Sequence, residues 1–239
     1  MRDPGRERQA LVLSASPYGD DDRILRLLVP EDGRVGAFQR GGRRKPAGLD
    51  VGVRALVHLR ARTGGLETLG AVTVEDARVH LRRGYGRLAF AQLGCELVGA
   101  FSREGHPEPK LFGLLETFLL LLDAVQTDPS AAFLAAMELK VLTFAGVGAA
   151  FDRCAVCGLP PEAEMNFDAE HGGARHVGCG GGRLVPLAAL AELELLRRTP
   201  LRELVDHPGG EGSEPMAAEL VRAQLGRELG ARALLTGLQ

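Results

Sequence analysis

Three thiols and one imidazole carry the clearest chemical signal in this chain. Cys154 and Cys157 stand two residues apart in "DRCAVCG", and His176 and Cys179 stand two apart in "RHVGCGG". Together they read C-x2-C-x18-H-x2-C, which is close to zinc-ribbon spacing. A two-residue gap lets both donors of one tight turn face a single ion while backbone N–H groups point at the sulfurs. Gly158 and Gly180 follow the two turns and ease them. Four protein donors, Cys154, Cys157, His176 and Cys179, leave no open coordination position. A Zn2+ held this way is structural and pins "AEMNFDAEHGG" as a hairpin. Other readings stay open at this level: His171 in place of His176, a nearby carboxylate as ligand, or a lobe that packs without metal. A redox role for the C-x-x-C pair needs a βαβ setting that the flanking sequence lacks. The fourth cysteine, Cys95, lies far upstream in a helical pattern. Such sparse, clustered cysteine usage argues for metal rather than disulfides.

The second signal is cationic. Arg40, Arg43, Arg44 and Lys45 fall within six residues in "RGGRRKP", beside glycines that permit close backbone approach. The forked guanidinium suits phosphate. Arg54, Arg60 and Arg62 can extend the track along one strand, and Arg82, Arg83 and Arg87 can continue it. A solvated surface loop is the plain alternative. The formal net charge of −2 hides a division. Residues 1–90 carry 17 Lys and Arg against 11 Asp and Glu, a balance of +6, and the remainder carries 12 against 20, a balance of −8. A basic front implies a polyanionic partner there. Aromatic side chains are scarce: there is no Trp, and the front of the chain offers Tyr18, Phe38 and Tyr85. Binding is therefore expected to rest on phosphates, to be nearly blind to sequence and to weaken steeply with salt. The carboxylates of "GDDDR" (Asp20, Asp21, Asp22) could hold Mg2+ for a nuclease, although adjacent carboxylates on a turn more often cap or solvate it. A zinc-ribbon transcription or ribosome-associated factor is a further alternative. The signatures G-x-x-x-x-G-K-[ST], G-x-S-x-G and H-E-x-x-H do not occur, so an enzyme is not expected.

The elements that must position these groups follow from periodicity. Short β-type runs occupy Gln9–Ser16, Asp22–Pro30, "RVGAFQR", Val53–Arg62 and "LETLGAVTVED", separated by turn signals such as "PYGDD" and "EDG". In the fourth, Val53, Ala55, Val57, Leu59 and Ala61 share one face, opposite Arg54, His58, Arg60 and Arg62. Five such strands fit a small closed barrel, for which the oligonucleotide-binding (OB) fold is the common solution. An SH3-like barrel or an open meander shares the pattern. Beyond Ala77 the period becomes helical in "RLAFAQLGCELVGAF", "KLFGLLETFLLLLDAV" and "AAFLAAMELKVLTFAG". The "FLLLL" stretch predicts that the second of these is central and buried. "AALAELELLRRT" and one final amphipathic helix, "MAAELVRAQLGRELGARALL", close the chain. The expectation is an α+β multidomain protein: an OB-fold β-barrel over residues 1–80, a helical domain over 81–149, an inserted zinc finger over 150–185, and the C-terminal part of the helical domain over 186–239. No apolar run reaches the ~18–20 residues of a membrane span. The polar start lacks the apolar stretch of a signal peptide. A cytoplasmic protein without membrane contact is expected.

Two stretches align with one family. "SASPYGDDDRILRLLVPEDGRVGAFQRGGRRKP" resembles the N-terminal signature of RecO, a bacterial recombination mediator, and "ELKVLTFAGVGAAFDRCAVCG" resembles the helix that enters the family's zinc knuckle. The resemblance implies an OB domain, a helical domain and a finger that often has four cysteine ligands. Here His176 stands at a cysteine position. It further implies binding of single- and double-stranded DNA and annealing of complementary strands. It implies loading of recombinase onto single strands coated by single-strand DNA-binding protein (SSB), with RecR and RecF as partners. The acidic, apolar-ended tail of SSB would need an apolar groove with a basic rim. Arg103, Lys110 and Lys140 are the candidate rim residues. The resemblance further implies a nucleoid-associated place in the cytoplasm, and the family is not known as a nuclease.

Overall fold

The computed structural model describes residues 5–44, 48–61, 65–210 and 212–238. The first strands form because apolar and polar residues alternate between Gly- and Asp-rich turns. β1 (Arg6–Tyr18), β2 (Asp22–Val29), β3 (Gly33–Gln39), β4 (Arg54–Arg60) and β5 (Glu67–Asp76) close into a barrel in the order β1-β2-β3-β5-β4. β1 runs antiparallel to both β2 and β4, and β4 antiparallel to β5. The closing seam between β3 and β5 is parallel and short, pairing Ala37 with Glu67 and Phe38 with Thr68. This is the OB connectivity. The inward rows are the expected ones: Val53, Ala55, Val57 and Leu59 join Leu25, Leu27, Val35 and Ala37 in the barrel core. Ala61, expected on the same face, is exposed at the strand's end.

The register of β1 against β2 shifts between Val12 and Ser14. Such a bulge reverses which residues face outward. Leu11, Leu13 and Leu28 are buried outside the barrel core, and α1 (Tyr85–Phe101) packs on β1 while α2 (Pro109–Ala124) packs on β2. α1 and α2 can touch closely because Gly94 has no side chain: a Cβ there would stand 2.7 Å from Cε1 of Phe118. The C-terminal 3-10 stretch Gly230–Leu238 returns to α1, where Ala231 N–H donates to Glu96 at 2.7 Å and Tyr85 O–H donates to the Leu234 carbonyl at 2.9 Å. The barrel, α1, α2 and this tail form one compact unit, and residues Val125–Gly230 form a second.

Within the first unit, the turn from barrel to helices is held by buried charge. Arg78, just before a 3-10 turn at Val79–Arg83, is the one non-glycine with positive φ among the described residues (φ 45°). That conformation costs about 1–2 kcal/mol for an L-residue. Its side chain is fully buried. Its guanidinium donates to the Glu116 carboxylate at 3.1 Å and to the Glu116 carbonyl at 3.2 Å. Arg54 reaches the same carboxylate oxygen at 2.7 Å and Glu75 at 3.0 Å. Asp76 accepts the Arg78 backbone N–H at 2.9 Å, and Asp123 accepts that of Leu81 at 2.9 Å. Burial lowers the pKa of Arg78, and Asp76, Glu116 and Asp123 pull it back.

The second unit is built around α3 (Ala131–Phe144), which is buried on every face from Ala132 to Leu142. α4 (Leu187–Arg198), α5 (Leu201–Leu204) and α6 (Ser213–Leu225) pack against it. Between α3 and α4 lie β6 (Met165–Asp168), β7 (Gly173–His176) and β8 (Arg183–Val185), a sheet ordered β7-β6-β8. Two helical expectations are corrected. α2 keeps Leu120 exposed, so the helix surrounded on all sides is α3. The single final helix is broken, because Gly226 adopts φ 67° and ends α6 as a left-handed cap. Lys140, a rim candidate from the sequence, is instead buried in α3 and donates to the Arg197 carbonyl in the last turn of α4 at 2.8 Å.

Glu116→Ala strands the Arg78 guanidinium inside the protein and is expected to cost about 3–5 kcal/mol in urea unfolding. Arg54→Ala, which removes a part-exposed partner, is expected to cost under ~1 kcal/mol. Burial, helped by Arg197, brings the pKa of Lys140 down to about 8 from 10.5. The unfolded chain therefore binds this proton between those pH values and the folded chain does not. The contribution of Lys140 to stability should rise with pH across that window and be flat below it. Thermal unfolding at pH 7.5 and pH 10 is expected to show the wild-type chain gaining stability relative to Lys140→Met at the higher pH.

Candidate metal centre and nucleic-acid interface

The finger places its donors through two turns of like build. In the first, Gly158 N–H returns to the Cys154 carbonyl at 2.9 Å, with Gly158 at φ 74°. In the second, Gly180 N–H returns to the Val177 carbonyl at 3.1 Å, with Gly180 at φ 71°. β7 carries His176 to the start of the second turn. One donor atom from each of Cys154, Cys157, His176 and Cys179 lies within 4.8 Å of the others. A tetrahedral ion with ~2.3 Å bonds to sulfur needs donor separations of about 3.8 Å. The four side chains thus surround a space of the right size, and the cluster could hold a metal ion.

Second contacts orient the imidazole. His176 Nε2 lies 2.8 Å from the Pro160 carbonyl, which can only accept, so Nε2 carries the proton. Nδ1 then turns its lone pair toward the cluster, 3.3 Å from Cys157 Sγ. His176 N–H points at Cys154 Sγ at 3.4 Å. Burial pushes the Cys154 thiol up, but the backbone N–H groups of Cys157, His176 and Val156 outweigh it and bring the pKa to about 6. Burial and the neighbouring Cys154 and Cys157 sulfurs push Cys179 up to about 11. Crowded sulfurs resist full ionisation unless a cation neutralises them. His171 is engaged elsewhere, with Nδ1 3.0 Å from Asp168, which also takes Arg175. Glu162 approaches His176 only at 3.9 Å on the side away from the cluster. Cys95, fully buried in α1, has its pKa pushed up to about 12 and remains a thiol.

The basic residues divide into those that reach solvent and those that do not. Arg40, Arg43 and Arg44 sit on an exposed turn directly after β3. The acidic turn after β1 shapes it: Gly41 N–H donates to Asp22 at 2.7 Å, Arg43 N–H to the Asp21 carbonyl at 2.8 Å, and the Arg43 side chain to the Gly19 carbonyl at 3.1 Å. Arg44 forks onto both carboxylate oxygens of Asp21 at 2.5 Å while remaining largely exposed. Arg40 has no side-chain partner among the described residues. Asp21 and Asp22 are thus engaged in holding the basic turn. Arg60 and Arg83 are exposed, and Arg82 caps the carbonyls of Ala77 and Arg78 at 3.0 and 3.2 Å. Arg54 is spent on Glu75 and Glu116, and Arg87 is buried in the first turn of α1, so neither belongs to a surface track. Lys45 and Arg62 lie outside the described residues.

Sequence reasoning passed over Arg26. It is exposed on β2, cross-strand from Ser14 and Gly36, and its position opposite the buried Leu25 and Leu27 was visible in the alternation of "DRILRLLV". A cleft of about 390 Å³ beside β1 and β3 is lined by Arg6, Arg8 and Arg34, but also by Asp32, Glu67 and Glu104. Arg8 is paired with Asp32 at 2.9 Å and Arg34 with Glu104 at 3.4 Å, so the cleft is electrically self-satisfied. Arg103 is exposed within 4.0 Å of Glu108, and Lys110 is exposed at the start of α2.

Comparison with known proteins is consistent along the chain. A family model described as recombination protein O N terminal matches residues 2–78, and one described as recombination protein O C terminal matches residues 82–233. A DNA repair protein RecO of Anaeromyxobacter dehalogenans (strain 2CP-C) is 38% identical over 94% of this chain and 93% of its own length. Those of Myxococcus xanthus (strain DK1622) and Symbiobacterium thermophilum are 37% and 32% identical, over 80% and 74% of this chain and 82% and 68% of their own.

Elemental analysis of the purified chain is expected to find about one divalent ion per molecule. His176→Ala should lose it, and His176→Cys, which restores a fourth donor, should retain it.

Proposed function

The chain belongs to the RecO family of DNA repair proteins, and from that membership we propose that it serves repair as a non-catalytic mediator that grips DNA through its phosphates. The observation that carries this reading is the Arg40–Arg44 turn, whose guanidinia face solvent on a preformed loop of the barrel. Arginine forks on a fixed backbone match phosphate oxygens, and each phosphate neutralised releases condensed counterions. Arg60, Arg82 and Arg83 extend the grip. Arg54 and Arg87 act inside the fold.

Contacts made to the sugar–phosphate chain leave most nucleobases available to pair, which suits annealing of complementary strands. Single- and double-stranded DNA both present the required charge. Loading of recombinase onto SSB-coated strands, with RecR, RecF and the SSB tail as partners, is the family role we assign to the chain. Its place is then the cytoplasm, at the nucleoid. No helix among the described residues is long and apolar enough to cross a membrane. The ion of the finger is zinc in this reading, because three thiolates and a neutral imidazole in a closed tetrahedral set favour it. Its task is to hold the β6–β7 hairpin.

The test is titration of a labelled single strand at several KCl concentrations, followed by strand annealing with and without SSB. Arg43→Ala with Arg44→Ala is expected to reduce the magnitude of the log–log salt slope by roughly 1–2 and to slow annealing. Asp21→Asn, which releases Arg44 from its internal partner, is expected to move affinity the other way. An unchanged slope in the double variant, or attachment governed by base identity, would overturn the reading.

A further inference from the structure

The outward face of β1–β3 carries a small aromatic patch beside the basic turn. Side chains directly opposite one another on paired strands lie on the same face. Tyr18 stands opposite Asp22, Ser16 opposite Ile24, and Ile24 in turn opposite Phe38. The inward rows of the same strands are filled by Leu25 and Leu27 on β2 and by Val35 and Ala37 on β3. Tyr18 meets Phe38, two strands away, edge-on, with ring centroids 5.7 Å apart and planes at 84°. The Phe38 ring is half-buried, whereas Tyr18 is 55% exposed. A tyrosine held at a fixed angle by a second ring, yet open on its other side, presents a ready stacking surface.

Cations flank the patch along β2 and past the end of β3, while Asp22, opposite Tyr18, accepts the Gly41 N–H and Asp20 is exposed in the turn beside it. Arg26 lies two residues along β2 from Ile24, roughly 7 Å away on the same face. It is exposed and has no side-chain partner among the described residues. Arg40 lies two residues beyond Phe38, just past the end of β3 at the start of the basic turn. Thus an apolar ring surface sits between cations on either side. An acidic peptide with an apolar end also pairs apolar surface with charge, but it needs a groove to enclose that end; the ring face here is open, with Tyr18 55% exposed, and suits a flat base laid on the ring with phosphates to either side.

We propose that Tyr18, braced by Phe38, is a stacking platform for one nucleobase of a single strand whose flanking phosphates run between Arg26 and the Arg40–Arg44 turn. This rests on the reading of the barrel as a DNA-binding surface and adds a base contact to it. The platform reads no hydrogen-bonding edge, so it tolerates any base. It distinguishes single strands, whose bases can turn outward, from duplex, whose bases are stacked on one another.

The experiment compares oligothymidylate with an abasic strand of equal length at one fixed salt concentration. Wild type is expected to bind oligothymidylate more tightly. Tyr18→Ala should lose roughly five- to fifty-fold in affinity for oligothymidylate, with its affinity for the abasic strand and its salt slope unchanged. Tyr18→Phe keeps the ring and should match wild type. The chain has two tyrosines and no Trp, so in Tyr85→Phe the emission comes from Tyr18 alone. That emission should fall on adding oligothymidylate and hold steady on adding the abasic strand. If wild type binds the two strands equally, or Tyr18→Ala binds oligothymidylate as wild type does, the platform is refuted while phosphate binding stands. If wild type binds neither strand, both readings fall.

Discussion

A single buried guanidinium organises the first compact unit. Arg78 sits at positive φ with no solvent contact, and the carboxylate and carbonyl of Glu116 on α2 receive it. A charge taken out of water is tolerable only when its partners are already in place. Barrel, 3-10 turn and α2 are therefore mutually dependent. Without α2 docked, Arg78 loses both Glu116 acceptors and keeps only Asp76, 3.7 Å from its Nε, as counter-charge. Without Arg78 in its left-handed turn, the chain leaves β5 in a different direction. Arg54 ties the same carboxylate to β4, so the strand that lines the barrel core also reports on the position of the helix.

This constraint explains how the arginines are apportioned. The basic front of the chain is not uniformly a binding surface. Part of it neutralises acids inside the unit, at Arg54 and Arg78, and part of it is exposed at Arg40, Arg43, Arg60 and Arg83. The acidic turn Asp20–Asp22 belongs to the same arrangement. Its Asp22 and Asp21 carboxylates receive the Gly41 N–H and the Arg44 fork, and so give a glycine-rich loop a defined shape. Two opposite charge clusters that look like rival functional signals in the sequence are one structural device.

The barrel was legible in the chain because a half-buried strand writes its burial with period two. Val53, Ala55, Val57 and Leu59 point inward as their alternation requires. The metal cluster was legible because both donor pairs lie on local turns, and spacing alone brings each pair together. Long-range charge pairing was not legible. Arg78 and Arg82 look alike in "EDARVHLRRGYGR", yet one is buried and one exposed, because Glu116 is 38 residues away and only the fold delivers it. Lys140 misled for the same reason: its partner is a carbonyl on α4. The final helix misled for a local one. Gly226 falls inside an apolar period that continues on either side, and periodicity does not register the left-handed cap that stops it.

The fork between Arg44 and Asp21 has a consequence for turnover. On the proposed reading, an arriving strand finds that site already occupied by a carboxylate, so its phosphate exchanges one anion for another. The net gain at Arg44 is small, and departure from it is aided because the displaced carboxylate stands ready to return. A clasp of this kind stays pre-shaped between encounters and holds each strand briefly. Short residence, rather than maximal tightness, is what a protein needs if it must hand its strand to another.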